Sequence, residues 1–422
     1  MQNTASQDYS QISPYKIPVK GDSCACERES LDKSKQLDKN TSDLSETQLS
    51  DLKHWHTKQE NKTLSDHVAY SLLSVVDENN PMFKAYARTL ACSREITLEN
   101  GAATTVYCGN RWCLTCNRIR TAVNIDGYYK PVKAMEKPQF VTLTFKAIPS
   151  SEIIEKIQDP FDAWRSVMRA ARYKYKKTES IEYKLSGVRK VEANYNPDKD
   201  WFNVHFHVII DRESSAQYLV EQWMKFIQKK GYEAVRTAQD VRPVAQSADA
   251  LKEMFKYVTK VFSGIGEKRS KKQTEAEYCE EYQKLSFYPE AMHLFYSAMR
   301  NKRTIQPFGG VAKVNDEVDE LNLESQSLSF LPSDQLKVYT YCPERMGYYC
   351  GDERMIHLKM TYKTRALIKS VPFDRSKIPI YQSCMNYSYY IRSVRHVNYN
   401  QDQDSIPEVA NQDLKDFFIN LN

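Results

Sequence analysis

The chain has 422 residues, 41% of them hydrophobic, enough for one large domain or two ordinary ones with a sizeable core. Sixty Lys and Arg against 54 Asp and Glu leave a net charge of only +6, a mildly basic balance that selects no partner by itself. No stretch reaches the ~18 uninterrupted apolar residues a membrane span needs, and the opening MQNTASQDYSQ lacks the apolar centre of a signal peptide. A cytoplasmic protein is expected, whose ten cysteines serve as thiols or metal ligands rather than disulfides.

Residues 1–65 are rich in Ser, Asp, Lys, Gln and Asn without a sustained apolar period, and read as a disordered or loosely helical arm. The folded region is expected to begin near Ala69, with residues 66–135 forming a Cys-rich module. There Cys92, Cys108, Cys113 and Cys116 lie close together, the last two as Cys-Leu-Thr-Cys beside Arg111, Arg118 and Arg120. Four such thiols can close a tetrahedral Zn²⁺ site, with ordinary buried thiols as the open alternative. Cys342 and Cys350 lack neighbouring ligands and carry no such expectation.

In 140–145, FVTLTF, Val141, Leu143 and Phe145 alternate with Thr142 and Thr144, the pattern of a half-buried strand. Phe161, Trp164, Val167, Met168 and Ala171 then recur at helical spacing. Arg165, Arg169, Arg172, Lys174, Lys176 and Lys177 make the polar side of that helix basic, with Tyr173 and Tyr175 interleaved. This suits pairing with nucleic-acid phosphates and stacking on bases, and equally a solvated helix face. GVRKVEANY and WFNVHFHVII flank the turn at 196–200, as in a β-hairpin. A helix capped by Ser214 or Ser215 and ended by Gly231 follows, then another over 248–262. Residues 263–304 read as a charged segment, 313–336 as an acidic linker, and 337–422 as a Tyr-rich, strand-prone C-terminal region without nameable chemistry.

His205 and His207 flank Phe206 on one strand, so both imidazoles leave the same face and can share a divalent ion. A bare His-x-His is more often two satisfied core histidines. If the hairpin closes around Pro197 and Asp198, however, Glu192 lies opposite His205, and two imidazoles with a carboxylate suit Mg²⁺ or Mn²⁺. Glu253 and Tyr257 share a helix face four residues apart, with Lys256 and Lys260 beside the phenol. A tyrosine oxygen can attack a phosphodiester in line, and a nearby carboxylate can activate the water that ends the reaction. With 28 tyrosines in the chain, Tyr257 alone carries little weight.

Taken in order, FVTLTF, VHFHVII and EMFKYVTK resemble the three motifs of the HUH endonucleases, specifically rolling-circle plasmid replication initiators with a single catalytic tyrosine. The resemblance covers about residues 88–312, including the cysteines and the basic RNKRTIQPFGG; Leu114 stands where a proline is common in the family. It implies an α+β fold in which helices flank a central antiparallel sheet over 136–312, a ferredoxin- or RRM-like arrangement with the histidines on a middle strand. It also implies that His205, His207 and, less directly, Glu192 hold Mg²⁺ or Mn²⁺. Tyr257 of the Tyr-x-x-Lys260 helix would cut, and Glu253 would help terminate. Implied partners are double- and single-stranded plasmid origin DNA and a host helicase, single-strand-binding protein and DNA polymerase, with self-association at the origin open. A conjugative relaxase or single-tyrosine transposase would use the same chemistry, whereas a non-cleaving, zinc-containing DNA-binding initiator or repressor would need neither the histidine pair nor the tyrosine helix.

Overall fold

A computed structural model describes residues 44–99, 102–244, 250–251, 254, 286–313, 326–327 and 336–372. The chain enters through a long helix, α1 (Glu46–Leu73), started by a capping box in which Ser45 and Gln48 exchange side-chain-to-backbone hydrogen bonds. The fold therefore begins well before Ala69, and 46–65 is not part of a loose arm. The polar composition of α1 is what obscures it: Lys58, Gln59, Lys62, Thr63, Ser65 and Asp66 are all buried. Some of their partners lie within the helix and others are supplied by the tertiary structure. Lys62 Nζ donates to Asp66 Oδ1 (2.8 Å) and the Leu90 carbonyl (2.7 Å), and Lys58 Nζ to the Tyr107 hydroxyl (2.6 Å). Such pairing offsets part of the penalty that would otherwise keep these groups at the surface.

Helix α2 (Phe83–Leu90) leads into the hairpin β1 (Glu95–Glu99) and β2 (Ala102–Thr105), followed by α3 (Leu114–Lys133). Next come β3 (Pro138–Leu143), β4 (Ile148–Pro149), α4 (Gln158–Thr178), β5 (Gly187–Asn196), β6 (Trp201–Asp211), α5 (Glu213–Gln228) and β7 (Asp240–Pro243). Then follow α6 (Pro289–Ala298), β8 (Ile305–Phe308), β9 (Gln326–Ser327), β10 (Lys337–Cys342), β11 (Gly347–Cys350), β12 (Glu353–Arg354) and α7 (Tyr362–Lys369). Neither Ser214 nor Ser215 caps α5: Arg212, with φ 70°, precedes its first turn, and both serines lie inside the helix. Gly231, with φ +87°, follows its end, as the sequence predicts. The stretch 263–304, expected to be merely charged, contributes α6, whose Met292 and Phe295 are buried.

Two antiparallel sheets result. The first has the order β7-β3-β6-β5-β8, with β4 also paired to β6, so the histidine strand is internal. Its α+β layout, helices flanking an antiparallel sheet, is the expected fold class. One face carries Val141, Leu143, Val191, Val204, Phe206 and Val208 into a core shared with α4 and α5, where Phe206 packs against Phe161, Trp164 and Trp223. The opposite face is apolar at Phe140, Val188 and Ile209, which Tyr128 and Val132 of α3 cover together with Leu251 and Met254.

The second sheet, β12-β11-β10-β1-β2-β9, joins segments far apart in sequence. β1 pairs with β10 from Glu95↔Thr340 to Leu98↔Lys337, and β9 adds to β2. Within the stretch read as a linker, Gln326–Ser327 thus form a strand of this sheet, and 337–354 is not a separate region. β10–β12 complete the sheet of the Cys-rich module, burying Ile96 and Leu98 against Tyr339, Tyr341 and Tyr348. Their Tyr-rich, strand-prone composition could not name their partner, because pairing across such a separation leaves no local pattern.

Candidate functional site

The hairpin register follows from the alternation in β5 and β6: Glu192 lies opposite His205, and Lys190 opposite His207. β3 flanks the other side, with Thr142 opposite His207. Successive residues point to opposite faces, so Phe206 enters the core while His205, His207, Glu192, Lys190 and Thr142 share the other face. The two rings meet edge to face, their centroids 4.8 Å apart.

Hydrogen bonding orients them. His205 Nδ1 lies 3.2 Å from the Asn203 carbonyl and His207 Nδ1 3.2 Å from Thr142 Oγ1. Engaging Nδ1 leaves each Nε2 free to present a lone pair. Both Nε2 atoms converge on Glu192 Oε2, at 3.4 Å from His205 and 3.0 Å from His207. One donor atom from each of the three residues lies within 4.8 Å of the others, a spacing that a single divalent ion can bridge. Glu192 is buried, while the histidines retain partial exposure, leaving the face open to a ligand. Burial alone would raise the Glu192 pKa; hydrogen bonds to both histidines and the Lys190 ammonium outweigh it and hold the carboxyl well below its ordinary value. His207 moves down, mainly through burial, with Glu192 partly opposing.

Lys190 and Thr142 were not singled out in the sequence. Lys190 is fully buried, its Nζ 3.6 Å from Glu192 Oε1, the oxygen turned away from the histidines. The readable signal was its position two residues before Glu192, which fixes the same face.

The four cysteines converge as well. Cys92 follows α2, Cys108 follows β2, Cys113 caps α3 and Cys116 lies in its first turn. Sγ separations are 3.4 Å for Cys92–Cys116, 3.5 Å for Cys108–Cys116 and 3.6 Å for Cys92–Cys113; all four are buried and none forms a disulfide. The Cys108 and Asn110 amides donate to Cys92 and Cys108 Sγ, each at 3.4 Å. Burial opposes ionisation of Cys113, but hydrogen bonds from Cys108, Cys116 and Cys92 more than offset it and favour the thiolate. Such a donor set fits Zn²⁺. Helix α3 then runs from this cluster to Tyr128 and Val132, which cover the apolar half of the histidine face.

The basic helix residues divide into two groups. Arg165, Arg169 and Arg172 border a groove against the segment before β8. Lys174, Lys176 and Lys177 do not; Lys174 Nζ instead sits over the rings of Tyr183 (4.7 Å) and Tyr218 (5.0 Å). Glu253, Tyr257 and Lys260 lie outside the described residues. Leu251 and Met254 lie within them, on the histidine face.

Residues 100–340 match the model of a family described as Replication protein. The chain belongs to this replication protein family. The match spans β2 through most of β10, and so contains the histidine hairpin, three of the four clustered cysteines and the sequence around Tyr257. A relative from Staphylococcus aureus, "Protein rep", is 27% identical over 168 residues, 37% of this chain and 67% of that protein. No solved structure matches the chain. Family membership bears out the resemblance to plasmid replication initiators drawn from the three motifs. Among the described residues, no helix is long and apolar enough to cross a membrane.

Proposed function

We propose that the chain is a metal-dependent DNA nickase and strand transferase that starts rolling-circle replication at a plasmid origin. The observation that carries this reading is the convergence of His205 Nε2 and His207 Nε2 on Glu192 Oε2, on an internal strand, in a member of a replication protein family. His205, His207 and Glu192 would hold Mg²⁺ or Mn²⁺, which when bound neutralises phosphate oxygens and polarises the scissile phosphodiester. Cys92, Cys108, Cys113 and Cys116 would hold a structural Zn²⁺ that fixes the start of α3.

Tyr257 is the proposed nucleophile. Its oxygen bonds to phosphorus as the bond to the 3′ oxygen breaks, leaving a phosphotyrosine and a free 3′-hydroxyl that takes up the proton. The energy of the broken ester is kept in the new one, so the step reverses and permits rejoining. Lys260, three residues on in the sequence, would offset phosphate charge, and Glu253 would accept a proton from the water that hydrolyses the final intermediate. Leu251 and Met254, which bracket Glu253 in sequence, pack on the histidine face, where this assignment needs that segment to start. Host helicase, single-strand-binding protein and polymerase would then extend and unwind from the freed end.

The test is nicking of supercoiled origin DNA with Mn²⁺. Tyr257→Phe, His205→Ala and His207→Ala should each abolish it with the fold retained, and equal nicking by Tyr257→Phe would overturn the nucleophile assignment. Glu253→Ala should nick but release few monomeric circles.

A further inference from the structure

On the sheet face away from the histidines, an open groove of about 730 Å³ lies between α4 and the residues leading into β8. Arg165, Arg169 and Arg172 form one bank, Lys302 and Arg303 the other, and Lys184 one end, while no Asp or Glu lines it among the described residues. Arg165 is partly neutralised by Asp162; the polar side chains of the rest of the lining are cations and amides, set among aromatic and aliphatic residues. Tyr175, Tyr183 and Phe308 are partly exposed along it.

Beneath this lining sits Arg189, only 3% exposed. Alternation along β5 places it opposite in direction to Lys190 and Glu192, and its guanidinium lies over the rings of Phe161 (5.2 Å), Trp164 (5.4 Å) and Phe206 (5.2 Å). Its Nη2 donates to Gln306 Oε1 at 2.6 Å, but Nε and Nη1 have no hydrogen-bond partner. Burial pulls its pKa down to about 10, which still leaves it charged at neutral pH. A buried cation without a carboxylate is costly to keep, and its field is weakly screened toward the groove it borders. Among the described residues no carboxylate supplies its counter-charge, and a phosphate in the groove would.

We propose that this groove binds the sugar-phosphate backbone of single-stranded DNA, as a second nucleic-acid site on the face opposite the histidines. A row of cations interleaved with exposed aromatic rings matches a strand whose bases are free to stack, and the volume is in the range of enclosed small-ligand sites rather than a duplex-sized cleft. β8 is the edge strand, so one DNA strand can occupy the groove and pass around that edge to the histidine face. The proposal rests on reading the chain as a DNA-handling initiator, but it is tested by binding alone, without divalent metal.

The test is fluorescence anisotropy of a labelled oligodeoxythymidine in EDTA, titrated at several salt concentrations with wild type and the exposed-residue variants Arg172→Gln, Lys184→Gln and Arg303→Gln. Each substitution should weaken binding several-fold at low salt and reduce the slope of log K against log salt by about 0.7. An oligonucleotide carrying 5-iodouracil should crosslink to Tyr175 or Tyr183. Unchanged slopes in all three variants, crosslinks confined to the histidine face, or tighter binding of a matching duplex through the same residues would each overturn the proposal. A chain that shows these slopes yet cuts no origin DNA would lose the nickase reading and keep the groove; one that cuts with unchanged slopes would do the reverse.

Discussion

Cys113→Ser removes one sulfur from the cluster that joins α1, α2, β2 and α3, and its cost can be worked from the geometry. Four Zn–S bonds of about 2.3 Å in a tetrahedron set S···S separations of about 3.8 Å. The shortest separations here, 3.4 to 3.6 Å, need only a few tenths of an ångström of expansion. Without metal the cluster is a core of Cys92, Tyr107, Cys108, Cys113 and Cys116, too small to hold its loops by burial. Structural zinc contributes about 10–16 kcal/mol in isolated zinc-finger peptides. Here Ser65 Oγ accepts from the Leu114 amide (3.0 Å) and Asn110 Nδ2 donates to the Ala85 carbonyl (2.6 Å), so part of the module stays anchored without metal. We expect Cys113→Ser to cost about 4 kcal/mol, or roughly 8–16 °C in Tm at about 2–4 °C per kcal/mol. Elemental analysis should find about one zinc per chain in wild type and little in the variant, and a chelator should lower the wild-type Tm but leave the variant's unchanged. Wild-type protein that purifies without zinc, or that melts within about 1 °C of the variant without any chelator, would refute the reasoning.

Lys190→Met replaces the buried ammonium beside Glu192 with an apolar chain of similar length; leaving the carboxylate without that partner should cost about 3 kcal/mol in urea denaturation, and an unchanged midpoint would show that Lys190 does not anchor Glu192. The Asp66 carboxyl is pushed up to about 7 by burial, which Lys62 only partly offsets. An acid with a raised folded-state pKa contributes stability that is complete below its unfolded value of 3.8 and is lost as pH rises through about 7. Wild type should therefore lose stability relative to Asp66→Asn over that window, and parallel pH profiles would count against the assignment. Ending the chain after residue 336 removes β10–β12 and uncovers Ile96 and Leu98; we expect aggregation, and a soluble fragment with native-like circular dichroism would show that the first 336 residues fold alone.

What could be read in the sequence was whatever depends on local period. His205 and His207 share a face because strand side chains alternate, and Glu192 could be placed opposite His205 because the short turn at 196–200 leaves little freedom in register. The amphipathic pattern of α4 showed for the same reason. Helix α1 stayed hidden because its buried face is polar, with Lys58 and Lys62 bonded to Tyr107 and the Leu90 carbonyl, partners brought in by tertiary structure, and Lys62 also to Asp66 one turn along the helix. The β1–β10 pairing joins Glu95 to Thr340, a distance over which local alternation carries no information. The basic run from 165 to 177 looked uniform in sequence, yet only its first three arginines face the groove, since Lys174 lies across Tyr183 and Tyr218. Arg189 could not be distinguished from an ordinary strand-surface arginine until Phe161, Trp164 and Phe206 were seen to enclose it.

The interleaved second sheet also bears on the order in which the ribosome presents the fold. The histidine hairpin emerges with β3 and β4 already made and β7 close behind, whereas β1 and β2 wait for β10, more than half the chain later. Until Tyr339 and Tyr341 arrive, Ile96 and Leu98 are uncovered in the nascent protein, and the cysteine-bearing loops on either side of β1–β2 have no finished sheet to hold them apart. Metal capture by those thiols during translation would fasten the first-made part of the chain while its partner strands are still being added.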